Sequence, residues 1–223
     1  MSRKTIALKA EKRRRQVRRL IGIFIGLGVV ILAGVGVLWI VLSSRPQPGN
    51  CAVTKMQFSS PPDMQIEVNK QYFATVKMDK GGEFVIQLFP DKAPITVNSF
   101  VFLARQGFYN CVTFHRVLEG FMAQTGDQSG TGMEGPGYEF VNELNDLPFD
   151  KAGVVAMANA GPDTNGSQFF ITFVPVGLSE SDYTIFGQVI SGMDVVNGLT
   201  RRDPEQNPTF AGDAIESITI TEK

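Results

Sequence analysis

The chain has 223 residues, of which 43% are hydrophobic and 19% charged, with a formal net charge of -1; that is room for one globular domain and an appendage. Two cysteines and a single histidine are too few for a disulfide scaffold or for a zinc site built on paired cysteines. Nine of the 21 Lys/Arg and one of the 22 Asp/Glu lie in residues 1–19, which leaves 12 basic against 21 acidic residues beyond and no basic stripe for nucleic acid.

In chain order, residues 1–19 form a basic cytoplasmic tail, and residues 20–42, "LIGIFIGLGVVILAGVGVLWIVL", carry no charge. At about 1.5 Å per residue such a run is long enough to cross a bilayer. It is too long for a signal-peptide core and no A-x-A pattern follows it, so it is expected to be a retained signal anchor rather than a cleaved leader. The positive charges before it set the amino end in the cytoplasm and the remainder outside, with membrane lipid as the partner of this segment. Gly22 and Gly26 have the spacing of a helix-pairing motif, although glycine is common in spanning helices. Residues 43–70, with "RPQPG" and "SSPPDM", have the composition of a tether, and the folded domain is expected over 71–223. Cys51 falls in the tether and Cys111 in the domain. Outside the cytoplasm a disulfide between them is permitted, but the sequence does not require the two to meet.

Within the domain, Phe73–Met78 and Glu83–Phe89 read as a hairpin around Gly81 and Gly82, with Phe84, Ile86 and Leu88 on one face. From Pro94 the period changes. Val97, Phe100, Val101 and Ala104 fall on one helical face before Gly107. "GVVAMANA", "SQFFITFV", "YTIFGQVI" and "AIESITITE" are strand candidates, and "MDVVNGLTR" is a second short helix. This mainly β pattern with two separated helices predicts a closed barrel with helices over its open ends.

The only histidine lies in "TFHRVLEGFMAQTGD", beside Arg116 and ahead of Phe121, Met122 and Gln124. Neither a G-x-S-x-G elbow nor a Cys/His protease signature is present, and no local pattern activates Ser167 in "DTNGSQFF". What remains is a site that binds and polarises without covalent chemistry. Arg116 supplies a permanent cation with directed donors. Phe121, Met122 and Phe170 offer an apolar floor, and Gln124, Gln168 and Asn159 offer groups for peptide amides. Residues of the first kind are most often plain core, so these alone do not decide the matter.

Four blocks go further. "FHRVLEGFMAQTGD", "GTGMEGPGYEFVNE", "MANAGPDTNGSQFFIT" and "YTIFGQV" resemble the cyclophilins, peptidyl-prolyl cis/trans isomerases, in the right order from about Phe73 to Thr221. The resemblance implies a closed eight-stranded antiparallel barrel capped by two helices, with no cofactor and no metal. It also implies that Arg116 is catalytic and that Phe121, Met122 and Phe170 line a proline pocket. Gln124 and the main chain of Asn159 would hold the substrate backbone, with Ala158, Ala160 and Gln168 bordering the groove. His115, matching the histidine of the family's "FHR", is counted with the substrate-binding set as a packing and orienting residue, with a general-base role as the lesser alternative. Where many relatives have a tryptophan and a leucine, this chain has "VPVGLSESDYTIFG"; Leu178 keeps the apolar wall, Tyr183 stands where relatives have histidine or tyrosine, and cyclosporin binding should weaken. Glu134 interrupts the glycine-rich stretch and changes the rim of the groove. The resemblance implies proline-containing unfolded polypeptides as substrates, and the topology adds that they are exported; the catalytic domain is expected to be monomeric. A peptide-binding module without turnover is the rival reading, which retention of Arg116 disfavours.

Overall fold

The computed structural model describes residues 51–179 and 181–223. The basic tail, the apolar run of residues 20–42 and the pair Gly22 and Gly26 lie outside them. Among the described residues no helix is long and apolar enough to cross a membrane.

Eight strands, β1 (Tyr72–Met78), β2 (Glu83–Leu88), β3 (Arg116–Leu118), β4 (Met122–Thr125), β5 (Val154–Met157), β6 (Phe169–Thr172), β7 (Ile185–Ser191) and β8 (Ile215–Glu222), form one antiparallel sheet. Two helices accompany it, α1 (Pro94–Arg105) and α2 (Met193–Asn197), with a 3-10 turn at Pro204–Gln206. The first hairpin follows its alternation. Ala74 faces Ile86 and Val76 faces Phe84 across the strands, and all four are buried. Helix α1 buries Val97, Phe100, Val101 and Ala104, the face its spacing selects, and packs against β8. Its first turn has no local cap. Instead the carboxylate of Glu143 accepts from the N–H groups of Ile95 and Thr96, at 2.8 and 2.7 Å, which satisfies donors that an isolated helix would leave open.

The expected closed barrel is corrected in one respect. The strand order β3-β4-β6-β5-β7-β2-β1-β8 leaves β3 and β8 as edges with no ladder between them, so the sheet is an open half-barrel. The seam is stitched by irregular backbone: Cys111 N donates to Ile215 O, Phe114 N to Asp213 O and Val117 N to Arg202 O. β3 is only three residues long and the connection after α2 lies against it, so that connection takes the bonds a closing strand would take.

The packed unit also reaches further toward the amino end than the Gln71 start suggested by composition. Ile66 is buried, Phe58 packs edge-on against Phe102 at 5.0 Å, and Asn98 holds the segment by accepting from Gln65 N and donating to the carbonyls of Pro62 and Asp63. Cys51 is bonded to Cys111. The pairing that the sequence left open is therefore made.

Candidate active site

Strands β4, β5 and β6 are buried on both faces, and alternation divides their side chains between two apolar clusters. Ala123, Val155, Met157, Phe169 and Ile171 enter the main core; Met122, Val154, Ala156 and Phe170 join a smaller one on the other face. The candidate site is built on that second face. Residues directly opposite each other in a ladder share a face. Arg116 is opposite Gln124, Gln124 opposite Phe170, and Phe170 opposite Ala156, so cation, amide and aromatic ring stand in one row across four strands.

Two depressions adjoin on this face. The smaller, of about 170 Å³, is lined by Arg116, Phe121, Met122, Gln124, Ala158, Asn159, Phe170, Leu178 and Tyr183. It lies well below the roughly 300–1,000 Å³ of pockets that enclose drug-sized ligands, a size for one ring rather than for a cofactor. The larger, of about 970 Å³, is an open groove of mixed polar and apolar lining that shares Gln124, Ala158 and Asn159 with the smaller and adds Ala160, Gln168 and the glycine-rich stretch from Gly132 to Glu139. Size does not decide between them. Only the smaller combines the cation with the aromatic floor, and the larger is its continuation. Among the described residues no group of three His, Cys, Asp or Glu stands together as a metal site.

The Arg116 guanidinium lies 5.9 Å from the centre of the Phe121 ring and 4.0 Å from the Met122 sulfur. Among the described residues it is paired with no carboxylate, and apart from the weak Nη1 contact to the Met122 sulfur its side chain makes no hydrogen bond to the protein, so donors remain for a ligand in the cavity it lines. The floor is braced by a residue the sequence reading missed. Phe149 stacks on Phe170 at 5.9 Å and meets Tyr183 edge-on at 6.4 Å, while Phe170 and Tyr183 are themselves edge-on at 5.5 Å. Only its aromatic, apolar character marked Phe149, and that does not distinguish it from core.

The polar side is a chain of amides. Gln124 donates to Gln168 (2.9 Å), and Gln168 donates to the carbonyls of Gly132 and Glu134 (3.0 Å each). Asn159 spends its side chain on the Asp182 carbonyl (2.8 Å), which leaves its main chain at the pocket. Behind the glycine-rich stretch sits Asp127, fully buried, whose carboxylate accepts from the N–H groups of Ser129, Thr131, Gly132 and Met133. Burial alone would raise its pKa. The Ser129 hydroxyl and the backbone donors outweigh burial and hold the group below the usual carboxylate range.

His115 lines neither depression. It is 2% exposed, with both ring nitrogens lacking a hydrogen-bond partner, and Gly132 lies against its Nε2. Burial lowers its pKa, with the Asp127 charge opposing that and Arg202 and Arg116 adding to it. Asn165, within an N-x-S sequon, is likewise buried, its amide donating to Val141 O and Asn142 Oδ1.

Comparison with known proteins decides the family. The model of the cyclophilin type peptidyl-prolyl cis-trans isomerases matches residues 73–220. The chain belongs to that family. It is 45% identical over 147 residues to the peptidyl-prolyl cis-trans isomerase-like 1 of Aspergillus oryzae, covering 63% of this chain and 91% of that one. The human protein of the same name is 46% identical over 133 residues, covering 57% and 80%. A Cryptosporidium parvum cyclophilin type isomerase, solved in the presence of the dipeptide Ala-Pro, superposes with a TM-score of 0.59 at 31% identity, covering 68% of this chain and 99% of that one.

This cyclophilin domain fixes the edge strand that carries Arg116 in a way the sequence did not announce. Arg202 exchanges backbone hydrogen bonds with Val117 and donates from its guanidinium to the His115 carbonyl. The residues on either side of Arg116 are thus tied to the α2–β8 connection. Residues so distant in sequence are linked only by the seam of the half-barrel.

Proposed function

We propose that the domain rotates Xaa-Pro bonds of unfolded or newly exported polypeptides outside the cytoplasmic membrane, with Arg116 as its catalytic residue. The observation that carries this reading is the small cavity, in which an unpaired guanidinium faces a ring-sized apolar floor of Phe121, Met122 and Phe170.

A planar peptide bond resists rotation by about 18–20 kcal/mol because the nitrogen shares its lone pair with the carbonyl, and Xaa-Pro bonds isomerise unaided in tens to hundreds of seconds. As the bond twists, the lone pair returns to a pyramidal nitrogen. An Arg116 N–H aimed at that nitrogen binds the twisted state better than either planar isomer, which is the condition for catalysis. The apolar floor holds the proline ring while Gln124 and the Asn159 main chain hold the residues before it. One side of the bond then turns against a fixed other side, and no proton need move. The buried His115, which lines no part of the cavity, has no part in such a step.

Export rests on the uncharged run at residues 20–42 behind a basic tail, which we propose spans the membrane, in contact with its lipids, with the amino end cytoplasmic. The test of the catalytic reading is NMR exchange of a short Ala-Pro peptide with the full chain and with Arg116→Ala. The variant should lose activity by about 10²–10³-fold, as when one transition-state donor is removed. Its melting temperature should change little, because the β3–β4 ladder is made by backbone. Peptide-induced shifts without faster exchange in the parent would make the domain a binding module. A variant that fails to fold would make Arg116 structural.

A further inference from the structure

The segment from Cys51 to Phe58 lies outside the matched family region, yet its Lys55 and Gln57 line the larger groove. Its fastenings are closely spaced. Cys51 is bonded to Cys111; the buried Gln128 amide donates to Thr54 O (3.0 Å) and accepts from Met56 N (2.8 Å); Phe58 N donates to Pro136 O (2.8 Å). The Gln57 side chain donates to Gly135 O (3.0 Å). On the facing loop Gly137 has φ +95, and a Cβ there would stand 2.5 Å from Phe58 O, so the close approach of strap and loop requires glycine. The loop held in this way receives the Gln168 amide, and Gln168 in turn accepts from Gln124 of the proline pocket. Strap, loop and pocket form one connected set.

We propose that this strap is a working wall of the peptide groove, that Lys55 and Glu134 at its lip determine which charged residue a peptide carries past the proline pocket, and that the Cys51–Cys111 bond keeps the strap in place. This rests on the peptide-binding part of the proposed function. Lys55 and Glu134 lie 3.3 Å apart with side chains 69% and 45% exposed. A pair so exposed contributes little to stability, and either member can exchange its partner for a peptide side chain. The charged groups lining the groove are Lys55, Glu134 and Glu139. Two carboxylates against one ammonium make the lip net negative, so a peptide bearing lysine or arginine is favoured over one bearing glutamate. Lys55 moderates that preference by occupying Glu134.

The test uses the full chain, the double variant Cys51→Ser/Cys111→Ser, and Glu134→Gln. The probes are a blocked Ala-Pro dipeptide and the same core extended by two residues at either end, with lysine or with glutamate. NMR gives the Kd from shifts and the turnover from exchange. The parent should bind the lysine peptide about 2–5-fold more tightly than the glutamate peptide. Glu134→Gln should reduce that ratio. The double variant should lose affinity for the extended peptides by a similar factor, in KM rather than kcat, while the dipeptide is unaffected. No charge preference in the parent would overturn the proposal, as would equal losses for dipeptide and extended peptides in the double variant. Should the double variant not fold, Glu134→Gln decides alone: an unchanged ratio overturns the assignment. A parent that discriminates in binding but accelerates no exchange sinks the isomerase reading and leaves the groove assignment standing.

Discussion

A neutral imidazole with no hydrogen-bond partner, 2% exposed, makes His115 a pH-sensitive part of the packing behind the site rather than a proton carrier within it. Its pKa is lowered by burial in the folded state. As pH falls, the unfolded chain therefore takes up the proton first, at its ordinary value of about 6.5. The stability contributed by the neutral ring is complete above that value and is lost as pH falls from there toward the lower folded value. Thermal melts between pH 8 and 5 should show the melting temperature of the parent falling below about pH 6.5, with a shallower fall for His115→Phe. Equal slopes for the two proteins would mean that another group carries the dependence.

Strand pairing, more than any single side chain, aligns the site, and the tightest point of that alignment is where β4 ends. Gly126 has φ +96, and a Cβ there would stand 2.2 Å from Ser167 O and 2.8 Å from the Cα of Gln168, both backbone atoms just before β6. A side chain at this position must push that backbone away and take Gln168 with it. Gly126→Ala should destabilise the domain by about 2–3 kcal/mol, from strain at a positive φ together with displaced backbone. It should also slow Ala-Pro exchange. This pairing of effects separates it from Arg116→Ala, where activity falls and stability holds. Urea unfolding and exchange measured on the same samples would tell; full turnover in a destabilised Gly126→Ala would show that the alignment of Gln168 does not matter to the reaction.

At the scale of the whole molecule, charge is segregated along the chain: basic before the apolar run and acidic beyond it. If residues 20–42 cross a bilayer, the full chain produced in cells should stay with the membrane fraction after alkaline carbonate washing, and a chain beginning at Pro48 should not. Recovery of the full chain in the wash would remove the anchor and with it the argument for export. The exposed ion pairs of the domain, such as Lys77 with Glu216 and Lys92 with Asp146, are of a kind that contributes little to stability. Stability instead comes from the core shared by the half-barrel and α1.

Much of this was present in local pattern. Alternation over Glu83–Leu88, the 3.6-residue spacing of Val97, Phe100, Val101 and Ala104, and the order of the four short blocks are properties of neighbours in sequence, so they specified the hairpin, the helix and the family resemblance without any fold. Strands β3 and β4 are three and four residues long, too short for a period to declare itself, and tertiary pairing made them. The same holds for Phe149 beneath the pocket, Glu143 at the start of α1, Arg202 behind Arg116 and the meeting of Cys51 with Cys111. Each is a contact between residues more than twenty positions apart, and its existence depends on how the sheet curves and where its seam falls. The sequence by itself determined the chemistry available to the site, because side-chain types and local periods are written in order along the chain. Only the tertiary structure decided that the sheet stays open at β3 and β8 and that Lys55 and Gln57 come to line the groove, because those follow from long-range pairing that no local pattern encodes.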